Sequence, residues 1–146
     1  MILSALLIND DRRVNDILAT VLKAWKLHRV EVQAVGFGFR GTGTMKESID
    51  AADICIVGLE RQYPWGRRAE GIEVAQSLWR MGKKALIISG EEHSAHLNVG
   101  FYWDFAAGHF ITEAVTWCLE HPLPQPEDCV GLTTYFQHRM RMPSAH

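Results

Sequence analysis

The chain's 146 residues suit one domain with a core of its own and a short appendage. Its ordinary globular composition and formal charge of −2 argue against bulk electrostatic attraction to nucleic acid or an anionic membrane. No apolar run approaches the ~20 residues needed to span a bilayer.

Met1 to Ile8 is an apolar run with no basic segment before it, and Asn9-Asp10-Asp11 follows at once. This predicts a first strand over residues 2–8 and a cytoplasmic protein rather than a signal peptide. Val14, Ile17, Leu18, Val21, Leu22 and Trp25 then recur at three- and four-residue steps, a helix stripe. Asp10 or Asp11 can cap that helix and complement its dipole. Residues 30–36 predict a second strand, followed by a glycine-rich turn and a short helix around 44–52. The third strand covers 53–59, and a loop runs from Glu60 to Glu70. A helix over 71–82 carries Ile72, Val74, Ala75, Leu78 and Trp79. A fourth strand is expected over 84–89, a fifth at about 109–112, and a last helix from Glu113 to His121.

Short apolar strands alternating with helices mean parallel strands joined by right-handed crossovers. Five strands in such a chain suit a doubly wound α/β sheet of flavodoxin-like order 2-1-3-4-5, which binds ligands at the carboxyl ends of strands one and three. Pro122-Leu123-Pro124-Gln125-Pro126 ends the last helix, dividing a domain over 1–121 from a tail over 122–146. Val130, Leu132, Tyr135, Phe136, Met140 and Met142 make that tail apolar enough to dock. Cys55 and Cys118 fall on core positions as reduced thiols, and Cys129 lies in the tail. Of seven histidines only His93 and His96 share a helix face, and without a third candidate they imply no metal. No cofactor is implied.

Three stretches carry a family resemblance: Ala52-Asp53-Ile54-Cys55-Ile56-Val57-Gly58-Leu59-Glu60, Glu70-Gly71-Ile72-Glu73-Val74-Ala75, and Ala85-Leu86-Ile87-Ile88-Ser89-Gly90. Together, over residues 2–121, the chain resembles the receiver domain of two-component response regulators. The resemblance implies a phosphoryl site at the ends of the strands, and here that site is degenerate. The first acid of the metal-holding pair becomes Asn9 and the second is Asp10, with Asp11 beside it. The phosphoacceptor aspartate becomes Gly58, the hydroxyl is kept as Ser89, and the lysine becomes Glu113. An acyl phosphate needs a carboxylate nucleophile, a hard cation and a lysine to offset charge. Gly58 removes the first, and Glu113 puts a like charge in place of the last. Phosphorylation at the usual site is therefore not expected.

Two features leave alternatives open. Glu60 can join Asp10 and Asp11 in a three-carboxylate cluster, or stand as a solvated loop residue. Around it Arg61, Tyr63, Trp65, Arg67 and Arg68 can bind an anion or nucleotide, or pair with Asp10, Asp11, Glu60 or Glu70 and plug the pocket. Gly36-Phe37-Gly38-Phe39-Arg40-Gly41 matches GxGxxG, with Glu60 at the distance of a ribose-binding acid. Its other reading is a turn that uses glycines for positive φ. The dinucleotide reading needs the strands at 30–35 and 54–59 to be adjacent, whereas the receiver order puts strand 2–8 between them.

Phe101, Tyr102, Trp103 and Phe105 fall within five residues. Read as a helix, they cover most of its circumference, so some must meet the tail or another chain. With Phe110 and Trp117 they make a candidate interface, since aromatics are enriched in interface cores. The functions in view are a non-enzymatic, phosphorylation-independent signalling module acting through protein contacts as a homodimer, and a nucleotide or anion sensor. No catalytic constellation stands out.

Overall fold

The strand Ile2–Ile8 (β1) is an interior strand of the sheet, its apolar run flanked by parallel partners on both sides. The fold is that of a computed structural model, described over residues 2–26, 28–37, 43–68, 70–89, 102–104 and 111–123. On one side β1 pairs with Arg29–Val35 (β2), and on the other with Ile54–Gly58 (β3). Beyond β3, and parallel to it, is a strand over Ala85–Ser89, separated from it in sequence by a small hairpin. That hairpin pairs Arg61–Tyr63 (β4) with Gly66–Arg68 (β5) in antiparallel fashion, so the strand Ala85–Ser89 is β6. A three-residue strand, Tyr102–Asp104 (β7), pairs parallel with β6, giving the order β2-β1-β3-β6-β7. Every residue of β3 is buried, as expected for a parallel strand covered on both faces.

Among the described residues four helices cover the sheet: Arg12–Lys23 (α1), Gly43–Ala51 (α2), Glu70–Arg80 (α3) and Ile111–Glu120 (α4). Right-handed crossovers put α1 on one face and α2 and α3 on the other, and α4 packs beside α1. In α1 the inward stripe is Val14, Leu18 and Leu22, while Ile17 and Val21 stay 56% and 39% exposed. The predicted stripe thus splits into an inner and an outer row.

Lys83 and Lys84, adjacent in sequence, serve two different helix ends. Lys83 Nζ donates to the carbonyls of Asp50 (2.8 Å) and Ala52 (3.2 Å) at the end of α2. Lys84 Nζ donates to the His121 carbonyl at the end of α4. Both ammonium groups meet the negative end of a helix dipole. The Lys84 carbonyl accepts from Cys55 N–H, so the next carbonyl, that of Ala85, faces away from β3. It is served by the Trp79 indole N–H (3.1 Å) and the Cys118 thiol (3.7 Å), which accounts for that buried acceptor. Burial pushes both the Cys55 and Cys118 thiols up to about 11, as befits inert core cysteines.

Three sequence expectations need correction. The stretch expected to be a loop from Glu60 to Glu70 contains the β4–β5 hairpin, and α3 starts at Glu70 itself. The aromatic stretch read as helical contains a strand, β7, consistent with the preference of Tyr and Trp for extended backbone. The fifth strand expected at 109–112 is replaced at Ile111 by the start of α4, so that the strand beside β6 is 102–104 instead. The tail from residue 124, with Cys129, and the histidine pair His93 and His96 lie outside the described residues. Among the described residues no helix is long and apolar enough to cross a membrane.

Candidate functional site

Parallel register brings Ile8, Val35, Gly58 and Ser89 to one edge of the sheet, the carboxyl ends of β1, β2, β3 and β6. Asn9 continues β1, its N–H donating to the Val35 carbonyl at 2.9 Å. Its buried side chain turns toward β3. A Cβ placed on Gly58 would overlap the Asn9 amide oxygen, and would lie 2.8 Å from Cγ and 3.2 Å from Cβ of Asn9. Asn9 therefore fills the space into which a side chain at position 58 would project. From the other side, Gly71 in the first turn of α3 packs against the same strand end. A Cβ there would overlap the Gly58 carbonyl oxygen and sit 2.8 Å from the Leu59 Cα. Gly71 N–H donates to the Leu59 carbonyl at 2.9 Å, which draws the helix onto the strand. Both glycines serve close approach, since neither has a positive φ.

The two aspartates after Asn9 are committed to backbone donors. Asp10 Oδ1 accepts from Phe37 N–H at 2.9 Å and lies tight against Gly36, where a Cβ would come within 3.0 Å of it. Asp11 caps α1 by accepting from Arg13 N–H (3.0 Å) and Val14 N–H (3.3 Å). Asn15, a full turn into α1, donates from Nδ2 to the Asn9 carbonyl at 3.1 Å. Glu60 is half-buried between β3 and the hairpin. Among the described residues no three His, Cys, Asp or Glu side chains are placed to hold a metal ion, so the carboxylate cluster of Asp10, Asp11 and Glu60 does not form.

The arginine-bearing hairpin folds onto Glu70. This carboxylate is buried, with its side chain 11% exposed, and it receives Arg61 Nη1 at 3.2 Å and Arg68 Nη1 at 3.6 Å. The Tyr63 hydroxyl also donates to it. Burial pushes the Glu70 carboxyl up, but the Tyr63 hydroxyl and the Arg61 guanidinium outweigh that and hold it below the ordinary glutamate value. The same contact holds the Tyr63 hydroxyl above its ordinary value. Arg61 lies over the Tyr63 ring at 4.8 Å, and Trp65 at the hairpin tip stacks on Tyr63 at 4.8 Å while staying 77% exposed. Of the two readings of this segment, internal pairing is the one formed by Arg61 and Arg68. Glu70 is the partner that organises it, and it also places negative charge at the α3 amino terminus.

The remaining predicted residues are scattered. Ser89 ends β6 with its backbone opposite Asp104 of β7. Glu113 is exposed in the first turn of α4, not at a strand end, and lines a groove of about 400 Å³ with Trp25, Thr112, Thr116, Trp117 and Glu120. Trp117 stacks on His121 at 3.8 Å. Tyr102 and Trp103 are placed by backbone in β7, and Arg67 in β5. Gly38, Gly41, Phe101, Phe105 and Phe110 lie outside the described residues. Because β1 stands between β2 and β3, the adjacency required by the dinucleotide reading of Gly36–Gly41 and Glu60 is absent.

No protein-family model matches the chain, and no curated protein matches it. Among solved structures it is similar to the response regulator ChrA of a heme-sensing two-component system, at 15% identity and a TM-score of 0.53. That match covers 99% of this chain and 68% of the other. A pilus assembly-related protein from Burkholderia pseudomallei also matches, at 15% identity and a TM-score of 0.39, covering 92% of this chain and 90% of that one. The sheet order and the ChrA likeness together show a receiver-like α/β fold.

Proposed function

We propose that the chain is a receiver-like signalling module that is not phosphorylated at the usual position and acts through protein contacts, as a homodimer. The observation that carries this reading is the Asn9 side chain packed into the volume beside Gly58. A receiver switches because a phosphoryl group on a carboxylate changes the charge at this strand end. Here the strand end has no carboxylate, and its neighbours Asp10 and Asp11 already accept backbone hydrogen bonds. Regulation would then come from the amount of protein and of partner present, with the receiver-like body as a fixed surface.

Light scattering across a range of concentrations, with and without acetyl phosphate and magnesium, tests this. The same concentration-dependent dimer is expected in both conditions. A concentration-independent monomer, or a dimer formed only with the phosphodonor, contradicts the reading. A sensor acting through the hairpin would have to displace Glu70 from Arg61 first; thermal stabilisation by a dinucleotide is the result that would favour it.

A further inference from the structure

The strand β2 is an edge of the sheet: it pairs with β1 on one side, and among the described residues no segment pairs with its other side. It is long and regular for an edge, with seven consecutive residues in register with β1 and neither proline nor glycine among them. Sheet edges are usually blunted by brevity, bulges or proline, because their open N–H and C=O groups template a further strand. Here only Arg29 and Glu31, of opposite sign, interrupt an otherwise uncharged sequence.

One hydrogen bond fixes which backbone groups are open. Asn9 N–H donates to the Val35 carbonyl, so the backbone polar groups of Val35 face β1. Alternate residues of a parallel strand address opposite sides, so Glu31 and Gln33 also face β1 with their backbone, while Val30, Val32 and Ala34 face outward. Of these three, the Val30 side chain is buried, Val32 is half-buried and Ala34 is exposed; Arg29, Glu31 and Gln33 are exposed on the other face. An antiparallel copy of the same strand, centred on Val32, brings every outward residue opposite another: Val32 to Val32, and Val30 to Ala34 on either side. Each such pair exchanges two N–H···O bonds, about six in all. Between them Glu31 comes opposite Gln33, a carboxylate beside an amide donor. Sliding the copies two residues either way loses one of the pairs, and one direction also sets Glu31 against Glu31.

We propose that two copies of this chain pair antiparallel along the outer edges of β2, about a twofold axis at Val32, to form one continuous sheet. The inference rests on the homodimer of the proposed function and names its interface. The contact is isologous, so it occupies the β2 edge of both copies and closes. Strand pairing alone covers a small area, so the dimer is weak and concentration-dependent.

Two measurements on the full chain test it. Ala34→Pro removes an outward N–H and leaves the bonds from β2 to β1 in place, so the far-ultraviolet circular dichroism is expected to hold. By symmetry two shared bonds are lost, and the dimer Kd from sedimentation equilibrium is expected to rise at least about tenfold. The second measurement reads the register in a Cys129→Ser background, with oxidised glutathione as oxidant. A mixture of Glu31→Cys and Gln33→Cys chains is expected to cross-link faster than either alone, because opposed Cα atoms at such a pair are about 4.5 Å apart. If the proline variant loses its fold, the cross-linking comparison decides. A dimer that survives Ala34→Pro unchanged, or a mixture no faster than its components, overturns this interface while the homodimer stands. A wild-type chain that stays monomeric at every concentration overturns the homodimer and the interface with it.

Discussion

Asn9 and Gly58 are complementary halves of one packed contact: the asparagine side chain lies where a side chain at position 58 would go. On the proposed reading, the nucleophile position and the first-acid position thus share one volume. An aspartate placed at position 58 would have to displace Asn9, which occupies the room it needs.

Gly58→Asp is accordingly expected to destabilise by about 1–3 kcal/mol, the usual cost of overpacking. Adding Asn9→Ala should recover a large part of that loss, because the two residues compete for one volume. Urea denaturation of the two single variants and the double variant measures the coupling. Additive effects would mean that the two side chains do not meet.

Gly71→Ala is expected to be worse, at roughly 3 kcal/mol or more. Its new methyl would meet backbone, the Gly58 carbonyl and the Leu59 Cα, and neither can swing aside. Gly66→Ala is the internal comparison. Gly66 has a φ of 141° but nothing within 4 Å of its would-be Cβ, so only backbone strain opposes it, about 1 kcal/mol. Thermal melts should rank Gly71→Ala well below Gly66→Ala.

Glu70 makes a pH prediction. Its folded-state carboxyl sits below the ordinary value, so the unfolded chain takes up the proton first as pH falls. The stabilisation it gives is present above the ordinary glutamate value of about 4.3 and is lost as pH drops through the lower folded value. Glu70→Gln should therefore melt below the wild type at neutral pH, and the gap should close in acid. A gap that widens in acid would contradict the pairing with Tyr63 and Arg61.

The cysteines act at the other end of the pH scale. Burial raises the Cys55 and Cys118 thiols from 9.0 to about 11, so the unfolded chain loses these protons first. Stability should be intact below pH 9 and fall between about 9 and about 11. Cys118→Ala should flatten that fall, as measured by urea unfolding at alkaline pH. In a Cys129→Ser background, both core thiols should resist alkylation until the protein unfolds.

Much of the fold can be read from pattern. The apolar runs that become β1, β3 and β6 are short and bounded, and the three-to-four spacing identifies α1 as a helix, though not which of its apolar residues face inward. What misleads is composition without period. Arg61-Gln62-Tyr63 and Gly66-Arg67-Arg68 look like a charged loop, yet Pro64-Trp65 between them is a two-residue hairpin connection of the kind a turn-favouring proline marks. The aromatics near Trp103 look helical only if four rings must share one cylinder. At the site, the absence of a side chain at Gly58 is legible because it is a matter of residue type. The direction taken by Asn9, and the choice of Glu70 by Arg61 and Tyr63, depend on three-dimensional neighbours that spacing does not encode.

Under the proposed function, the strand end at Gly58 does not accept a phosphoryl group. Incubating the wild-type chain with acetyl phosphate and magnesium, then measuring intact mass and hydroxylamine sensitivity, tests it most directly. An unmodified mass is expected throughout. A hydroxylamine-labile phosphoryl adduct mapped to Asp10, Asp11 or Glu60 would contradict it.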